Sequence, residues 1–260
     1  MPERSERVVE IWDAAVAAMR QLVTDLMITE DELHLAAEFF DQMGKEDNFH
    51  TLLFATLSTA SDEVFYRSRG VSHSNVVGPR YKPGAPLRPD GNLLDRPAEP
   101  GAQPFELSGR IYDVATGDPV PGAELDVWQA DHNGLYDDDA YHLRGIVVAD
   151  EAGRYRISTV LPADYPSHWD DTITTVYALI GRGTLRAAHV HMNISLDGRH
   201  LLTTQVFRSD SPSLDDDLII GIVKPELIGT VVPPEPGSGL PWTMEFDIPV
   251  RVRQVELAGA

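Results

Sequence analysis

The sequence predicts a mainly β protein, with an antiparallel β-sandwich as its core and an α-helical part at its N-terminus. Three observations predict this architecture. Apolar residues recur every three or four positions over roughly the first sixty residues, a segment rich in Pro and Gly interrupts that period, and apolar and polar residues then alternate. A chain of 260 residues is long enough to bury a substantial core without outside support.

The N-terminal part is predicted to form three amphipathic helices. The first covers residues 6–26, and the second begins at Thr29, which forms a capping-box pair with Glu32, and ends at Gly44. The third covers residues 50–61. In the first helix the apolar period is carried by Val8, Ile11, Ala15, Met19, Leu22 and Leu26.

The segment that follows, residues 67–103, has GPRYKPGAPLRPDG at its centre. Such a density of Pro and Gly favours an extended connector with little regular structure. We therefore divide the chain into a helical domain at 1–66, a connector at 67–103 and a β-sandwich domain at 104–260.

Alternation with a period of two begins after the connector. Phe105, Leu107 and Ile111 alternate with polar residues, the turn ATGDP follows, and Leu125 and Val127 alternate again, which predicts a hairpin. Further strands are predicted at residues 143–149, 154–161, 187–195, 201–207 and 244–250. Together these strands favour a sandwich of two packed sheets.

Composition limits the chemistry and the partners. The chain has no cysteine, which excludes disulfides and thiolate ligands, so a metal would be held by nitrogen and oxygen. With 21 Lys and Arg against 41 Asp and Glu, the net charge of -20 disfavours binding to nucleic acid and to anionic membranes. Because the sequence has neither a long apolar run nor a signal-peptide pattern at its N-terminus, we expect no membrane insertion and a cytoplasmic location.

Four residues could carry metal chemistry. In RAAHVHMNIS, His189 and His191 are two apart on a predicted strand, so both imidazoles point the same way and either chelate a metal or simply occupy a polar face. Tyr136, in DHNGLYDDD, and Tyr165, in LPADYPSHW, are either packing residues or phenolate ligands, which suit ferric iron.

The order of the motifs resembles that of the intradiol ring-cleavage dioxygenases, in the branch of the catechol, hydroxyquinol and chlorocatechol 1,2-dioxygenases. The resemblance runs from the N-terminal helices to about Val250 and rests on N-G-x-Y after WQAD, LRG, D-x-x-G-R-Y, R-x-A-H-x-H and L-T-T-Q. It implies that Tyr136, Tyr165, His189 and His191 bind one non-heme Fe(III) per subunit. It also implies that Arg186 and Gln205 line the site.

The resemblance further implies an activity and an assembly. Such an enzyme uses both atoms of O2 to cleave a catecholic ring between its hydroxylated carbons, giving a cis,cis-muconate. Tyr165 would accept a substrate proton, Arg186 would stabilise negative charge on the ring, and Gln205 would support the site by a hydrogen bond. Members of the family pair as homodimers through their N-terminal helices, in some cases with a lipid bound there.

Substrate contacts are implied by position at Leu53, Thr56, Val76, Pro79, Arg80, Leu218 and Ile219. Arg80 departs from the family pattern, in which an apolar or aromatic residue follows Gly-Pro. Pointing inward it would select a polar or anionic catechol, but we favour an outward orientation. Val77, with WQAD, LRG and VFRSD, favours hydroxyquinol as substrate, and catechol and chlorocatechol stay open.

Parts of the sequence are also compatible with two other functions. GRIYDVATGDPVPGAELDVW also resembles the first hairpin of transthyretin-like sandwiches, which predicts a non-catalytic binding module. Such a module has no need of two tyrosines and two histidines together. A zinc hydrolase is the other alternative, but the sequence has no HExxH motif and no acidic residue directly beside the histidine pair.

Overall fold

The computed structural model describes residues 2–46, 48, 57–166 and 172–252. Contacts within the chain divide it into two compact units, Met1–His50 and Thr51–Ala260. The three-part division made from the sequence stays a prediction.

The first unit contains the first two predicted helices, α1 (Pro2–Leu26) and α2 (Glu30–Lys45). The predicted capping box of α2 is present, since the backbone N–H of Glu32 donates to Thr29 Oγ1 and the backbone N–H of Thr29 donates to the Glu32 carboxylate. The large apolar side chains of the predicted α1 stripe are more than half exposed. No described helix is long and apolar enough to cross a membrane.

The second unit begins its described part with α3 (Thr59–Arg67). The third predicted helix overlaps its start, but residues 50–56 of that prediction lie outside the described residues. From Ser68 to Gln103 the chain has no regular helix or strand, only isolated bridges from Leu87 to Ile146 and from Asn92 to Ser158. A further helix, α4 (Thr172–Leu179), was not predicted.

The body of this unit is a β-sandwich, which confirms the predicted fold class. The strands are β1 Pro104–Asp113, β2 Glu124–Gln129, β3 Arg144–Val148, β4 Arg154–Val160, β5 Tyr165–Pro166, β6 Leu185–Arg186, β7 His189–Leu196, β8 Arg199–Arg208, β9 Ile228–Gly229, β10 Val231–Val232, β11 Trp242–Glu245 and β12 Ile248–Val250. One sheet has the order β10-β11-β1-β12 with β4 also paired to β1, the other has the order β3-β2-β7-β8-β9, and β5 and β6 form a separate pair. Most pairings are antiparallel, but β1 pairs in parallel with β11 and β12, and β8 pairs in parallel with β9.

The predicted hairpin of β1 and β2 is wrong. The two strands lie in different sheets, although the turn between them is closed locally by a hydrogen bond from Val120 N to Ile111 O. Alternation identifies the face that a strand buries but not the strand with which it pairs. Here both strands bury one face in the core, and the turn carries the chain from one sheet to the other.

The core lies between the two sheets. Leu107 and Ile157 belong to the first sheet and Leu125, Met192 and Ile194 to the second, and all five are fully buried in one hydrophobic cluster. Because successive residues of a strand alternate in direction, the other face of the second sheet carries a different set of side chains, among them the histidine pair.

Candidate metal centre

His189 and His191 lie on the face of β7 that points away from the core, as the alternation predicts. The intervening Val190 and the following Met192 point into the core. Both imidazoles are nevertheless buried, with 1% and 2% of the residue exposed, and their Nε2 atoms are only 2.9 Å apart. Loops therefore cover this outer face and leave the pair away from solvent.

The two histidines are held as neutral imidazoles. Burial lowers the pKa of both well below the ordinary value, and the nearby charge of Arg186 lowers it further. Nδ1 of His189 lies 2.5 Å from the carbonyl oxygen of Ala187 and donates to it, so its Nε2 carries a lone pair. Nδ1 of His191 is buried without a hydrogen-bond partner among the described residues.

Tyr136 and Tyr165 complete the cluster. Their phenolic oxygens lie 3.3 Å apart, and their rings are nearly perpendicular at 83°. The ring of Tyr165 lies 5.7 Å from that of His189, and the ring of Tyr136 lies 6.4 Å from that of His191, measured between centroids. Two phenol oxygens and two imidazoles from three separate segments thus converge on one point.

The loop that carries Tyr136 is fixed by Asp131 and Gly134. Asp131 Oδ1 accepts from the backbone N–H groups of Asn133 and Leu135, and its carbonyl accepts from Ala163 N, two residues before Tyr165. Gly134 has φ of +79°, and a Cβ there would lie 2.6 Å from Cβ of Tyr165. The glycine of the N-G-x-Y motif is therefore what lets the two tyrosine segments approach.

This donor set fits a cation. Burial raises the pKa of Tyr136 well above its ordinary value, and the neighbouring Tyr165 raises it further. A metal ion reverses that balance by favouring the phenolate, and two phenolate oxygens with two neutral nitrogens suit a hard trivalent ion. No group of three or more His, Asp and Glu side chains in the described part of the chain could hold a metal, so a metal here depends on the tyrosines.

Arg186 lies beside the cluster and is almost fully buried. Its Nη2 donates to Gln205 Oε1 at 2.9 Å and its Nε donates to Asp217 Oδ1 at 2.9 Å, while Gln205 Nε2 donates to the carbonyl of Val76. Burial lowers the pKa of Arg186, but the charges of Asp217 and the two tyrosines raise it by more. A fixed positive charge therefore lies next to the phenols.

Two residues of this region were missed from the sequence. The Trp128 ring stacks on His191 at 4.7 Å with an interplanar angle of 6°. Arg144 is buried, donates to the carbonyls of Arg80 and Asp137, and has its guanidinium 5.7 Å from the Tyr136 ring centroid. The WQAD and LRG motifs contain these two residues, which was the available signal.

An acidic run such as residues 215–217 predicts a solvated surface, and for Asp217 this prediction is wrong. Its side chain is only 3% exposed and pairs with Arg186. Its second oxygen accepts from Ala187 N, and Oδ1 also accepts from Ile219 N. A run of three acidic residues contains no sign of which member turns inward.

The predicted substrate contacts fall into three groups. Leu218 and Ile219 are buried, and Val76 is half-buried and bonded to Gln205. Pro79 and Arg80 are exposed, and Arg80 Nη1 lies 3.2 Å from Asp138 Oδ2. The segment between Val76 and Pro79 passes close to His191, since a Cβ at Gly78 would lie 3.4 Å from Cε1 of His191. Leu53 and Thr56 lie outside the described residues.

Comparisons with known proteins agree with one another. A family model described as a dioxygenase matches residues 76–251. A hydroxyquinol 1,2-dioxygenase of Rhizobium sp. (strain MTP-10005) is 32% identical over 231 residues, 83% of this chain and 77% of that protein. A chlorocatechol 1,2-dioxygenase of Rhodococcus opacus is 31% identical over 232 residues, 85% of this chain and 89% of that protein.

Solved structures give the same match. The crystal structure of a hydroxyquinol 1,2-dioxygenase from Pseudomonas putida DLL-E4 is 28% identical, with a TM-score of 0.82 over 94% of this chain and 92% of that chain. A 3-chlorocatechol 1,2-dioxygenase from Rhodococcus opacus 1CP is 26% identical, with a TM-score of 0.81 over 95% of this chain and 98% of that chain.

Proposed function

The chain belongs to the intradiol ring-cleavage dioxygenase family, that of the catechol, hydroxyquinol and chlorocatechol 1,2-dioxygenases, and on that premise we propose that it is a non-heme Fe(III) enzyme. The reaction uses both atoms of O2 to cleave a catecholic ring between its hydroxylated carbons and gives a cis,cis-muconate-type acid. The observation that carries this proposal is the convergence of Tyr136, Tyr165, His189 and His191 beside a buried arginine.

These four side chains would hold the iron, one ion per subunit. When bound, the ferric ion supplies Lewis acidity, which favours the ionised forms of the phenols and of a catechol and draws electron density from the substrate. The described geometry supports this assignment because the two Nε2 atoms face each other at 2.9 Å. Two nitrogen lone pairs at that separation repel unless a proton or a cation lies between them.

Tyr165 is the residue we assign to substrate deprotonation. A catechol must lose its hydroxyl protons to bind as a chelate, and a phenolate oxygen is a base that lies where the substrate arrives. Its neighbour Tyr136 has its oxygen 3.3 Å away, so a proton on Tyr165 can be shared with that oxygen in a hydrogen bond. Tyr136 stays in place because its loop is anchored through Asp131.

Arg186 is assigned to the stabilisation of negative charge on the ring. Its guanidinium is preorganised by Gln205 and Asp217, so no rearrangement is needed when charge develops. Gln205 in turn is fixed by the carbonyl of Val76. The hydrogen bond from Gln205 to this carbonyl supports the assignment of Val76 to substrate contact. We assign Leu53, Thr56, Pro79, Leu218 and Ile219 to the same role on their positions in the sequence.

Among the substrates of the family we rank hydroxyquinol above catechol and chlorocatechol, on Val77 and the motifs WQAD, LRG and VFRSD. The ion pair of Arg80 with Asp138 supports an outward Arg80 that leaves the substrate uncontacted. Initial rates with the three diols, for the wild type and for Arg80→Ala, test both assignments. A preference for catechol or chlorocatechol would contradict the ranking, and a change of preference in Arg80→Ala would contradict the outward orientation.

A homodimer through the N-terminal helices belongs to this proposal, with a lipid at the interface as a further possibility. The exposed apolar side chains of α1, among them Trp12 and Leu22, support such an interface because large exposed apolar surface favours association. Light scattering with gel filtration is the test. A particle of twice the 28.7 kDa chain mass is expected, and a monomer would contradict the dimer.

The reaction itself is tested by isotope labelling. The purified protein, loaded with iron, is given hydroxyquinol or catechol under ¹⁸O2, and the product is analysed by mass spectrometry. We expect one ring-opened acid that contains two labelled oxygens. A product with one labelled oxygen, or a ring opened beside rather than between the two hydroxylated carbons, would refute the intradiol assignment.

A further inference from the structure

Three arginines line one pocket that shares no residue with the metal centre. The pocket has a volume of about 120 Å³ and lies where the end of α3 meets the start of β8. Its walls are Phe65, Tyr66, Arg69, Val71, Arg199, His200, Leu201 and Arg251. All of these residues belong to the unit Thr51–Ala260.

The three guanidinium groups make hydrogen bonds to carbonyl oxygens. Arg69 Nη1 donates to Phe65 O at 2.6 Å, Arg251 Nε donates to Arg69 O at 3.1 Å, and Arg199 donates to Val252 O. None of the three forms an ion pair with a carboxylate of the described residues, whereas ten other arginines do.

This arrangement is unusual for so acidic a chain. The net charge is -20, so carboxylates are abundant and most arginines find one. Like charges in a small pocket repel, and an anion that enters removes this repulsion. Guanidinium groups bind carboxylates and phosphates through charge-assisted hydrogen bonds. Among the described residues each of these three guanidinium groups donates to one carbonyl, so most of its N–H groups remain available for a ligand.

The rest of the wall is mainly apolar. Val71 and Leu201 are buried, and the guanidinium of Arg69 lies 3.5 Å from the centroid of the Phe65 ring. Two further polar side chains of the wall contact each other, with 3.4 Å between Tyr66 Oη and His200 Nε2. A cavity on the order of 150 Å³ accommodates benzene, so a pocket of about 120 Å³ limits the apolar body of a ligand to one small ring.

We propose that this pocket binds a small organic carboxylate, with its apolar body, such as one aromatic ring, against Val71 and Leu201 and its carboxylate between Arg199 and Arg251. Because most of the wall is apolar, we expect the pocket to bind such a ligand more tightly than an inorganic anion. The proposal does not rest on the proposed function, because none of its residues takes part in the ring-cleavage chemistry.

Calorimetric titration of the full chain at low ionic strength tests it, with benzoate as the probe, benzamide as its neutral counterpart and inorganic phosphate as an anion without a ring. We expect benzoate to bind, benzamide to fail and phosphate to bind more weakly. Arg199→Gln and Arg251→Gln should each weaken benzoate binding about tenfold, because each removes a charge-assisted hydrogen bond. Arg251→Lys should retain part of the affinity.

Arg110→Gln is the matched control, because Arg110 is an exposed arginine paired with Asp247 elsewhere on the protein. Its benzoate affinity should equal that of the wild type. Since benzoate can also approach a metal centre, binding that Arg199→Gln and Arg251→Gln both leave unchanged would place the ligand elsewhere and overturn the proposal. Equal affinities for phosphate and benzoate would likewise overturn it. An absence of benzoate binding to the wild-type protein would also overturn the proposal.

Discussion

Asp217 and Arg186 form a buried ion pair, with 2.9 Å between Asp217 Oδ1 and Arg186 Nε and only 3% of each side chain exposed. Asp217 also accepts from the backbone N–H groups of Ala187 and Ile219. One carboxylate therefore orients the arginine beside the phenols and fixes the backbone at Ala187 and Ile219.

Replacement of this carboxylate should damage activity and stability together. Asp217→Asn keeps the side-chain volume but leaves the Arg186 charge buried without its partner, which typically costs about 3 to 5 kcal/mol. We expect urea unfolding at a lower midpoint because of this unpaired charge. We also expect a lower kcat, because a carboxylate no longer holds the Arg186 guanidinium in place. Asp215→Asn, an exposed neighbour, is the control, and equal losses in both variants would contradict the role of Asp217.

Tyr165→Phe removes a phenol oxygen that lies 3.3 Å from Tyr136 Oη while the ring stays in the core. If Tyr165 is both ligand and base, turnover should fall by about 10²- to 10⁴-fold and the colour of the iron-loaded protein should change. Steady-state oxygen uptake and visible absorption measure these effects. Tyr112→Phe, on β1, should leave both unchanged, whereas undiminished turnover in Tyr165→Phe would refute the assignment.

Trp128 should act through His191, on which it stacks at 4.7 Å. Trp128→Phe shortens the stacked surface and frees the imidazole to rotate, so iron affinity should fall by about 10- to 100-fold, as for other residues that orient metal ligands. Competition with a chelator measures this affinity. Retention of iron equal to the wild type, in a folded variant, would show that the stack has no part in orienting the histidine.

His142 should make stability depend on pH. Burial and, less strongly, the charge of Arg96 lower its pKa in the folded protein, and its Nδ1 accepts from Asp95 N. The unfolded chain then binds a proton more readily than the folded chain. The contribution of neutral His142 to the free energy of unfolding is therefore complete above the unfolded pKa of about 6.5, and it is lost as pH falls below that value toward the folded pKa. In urea unfolding of the iron-free protein, the free energy of unfolding should fall less between pH 7.5 and 5.5 in His142→Asn than in the wild type. An equal or larger fall in the variant would contradict the role of His142.

The sequence located the parts of the site that follow a local rule. Alternation along β7 placed both histidines on one face, and the N-G-x-Y motif marked the loop of Tyr136. Residues whose role depends on distant contacts were missed. Asp217 became a partner of Arg186 only through the fold, and β1 and β2 were joined as a hairpin because alternation carries no information on sheet membership.

The visible absorption spectrum of the iron-loaded protein, recorded without O2 before and after addition of hydroxyquinol or catechol, tests the central assignment most directly. Phenolate ligation of Fe(III) by Tyr136 and Tyr165 predicts a broad visible band that moves when the diol binds. A protein that takes up iron but stays colourless, or whose absorption band does not shift with either diol, would contradict the tyrosine-histidine metal centre.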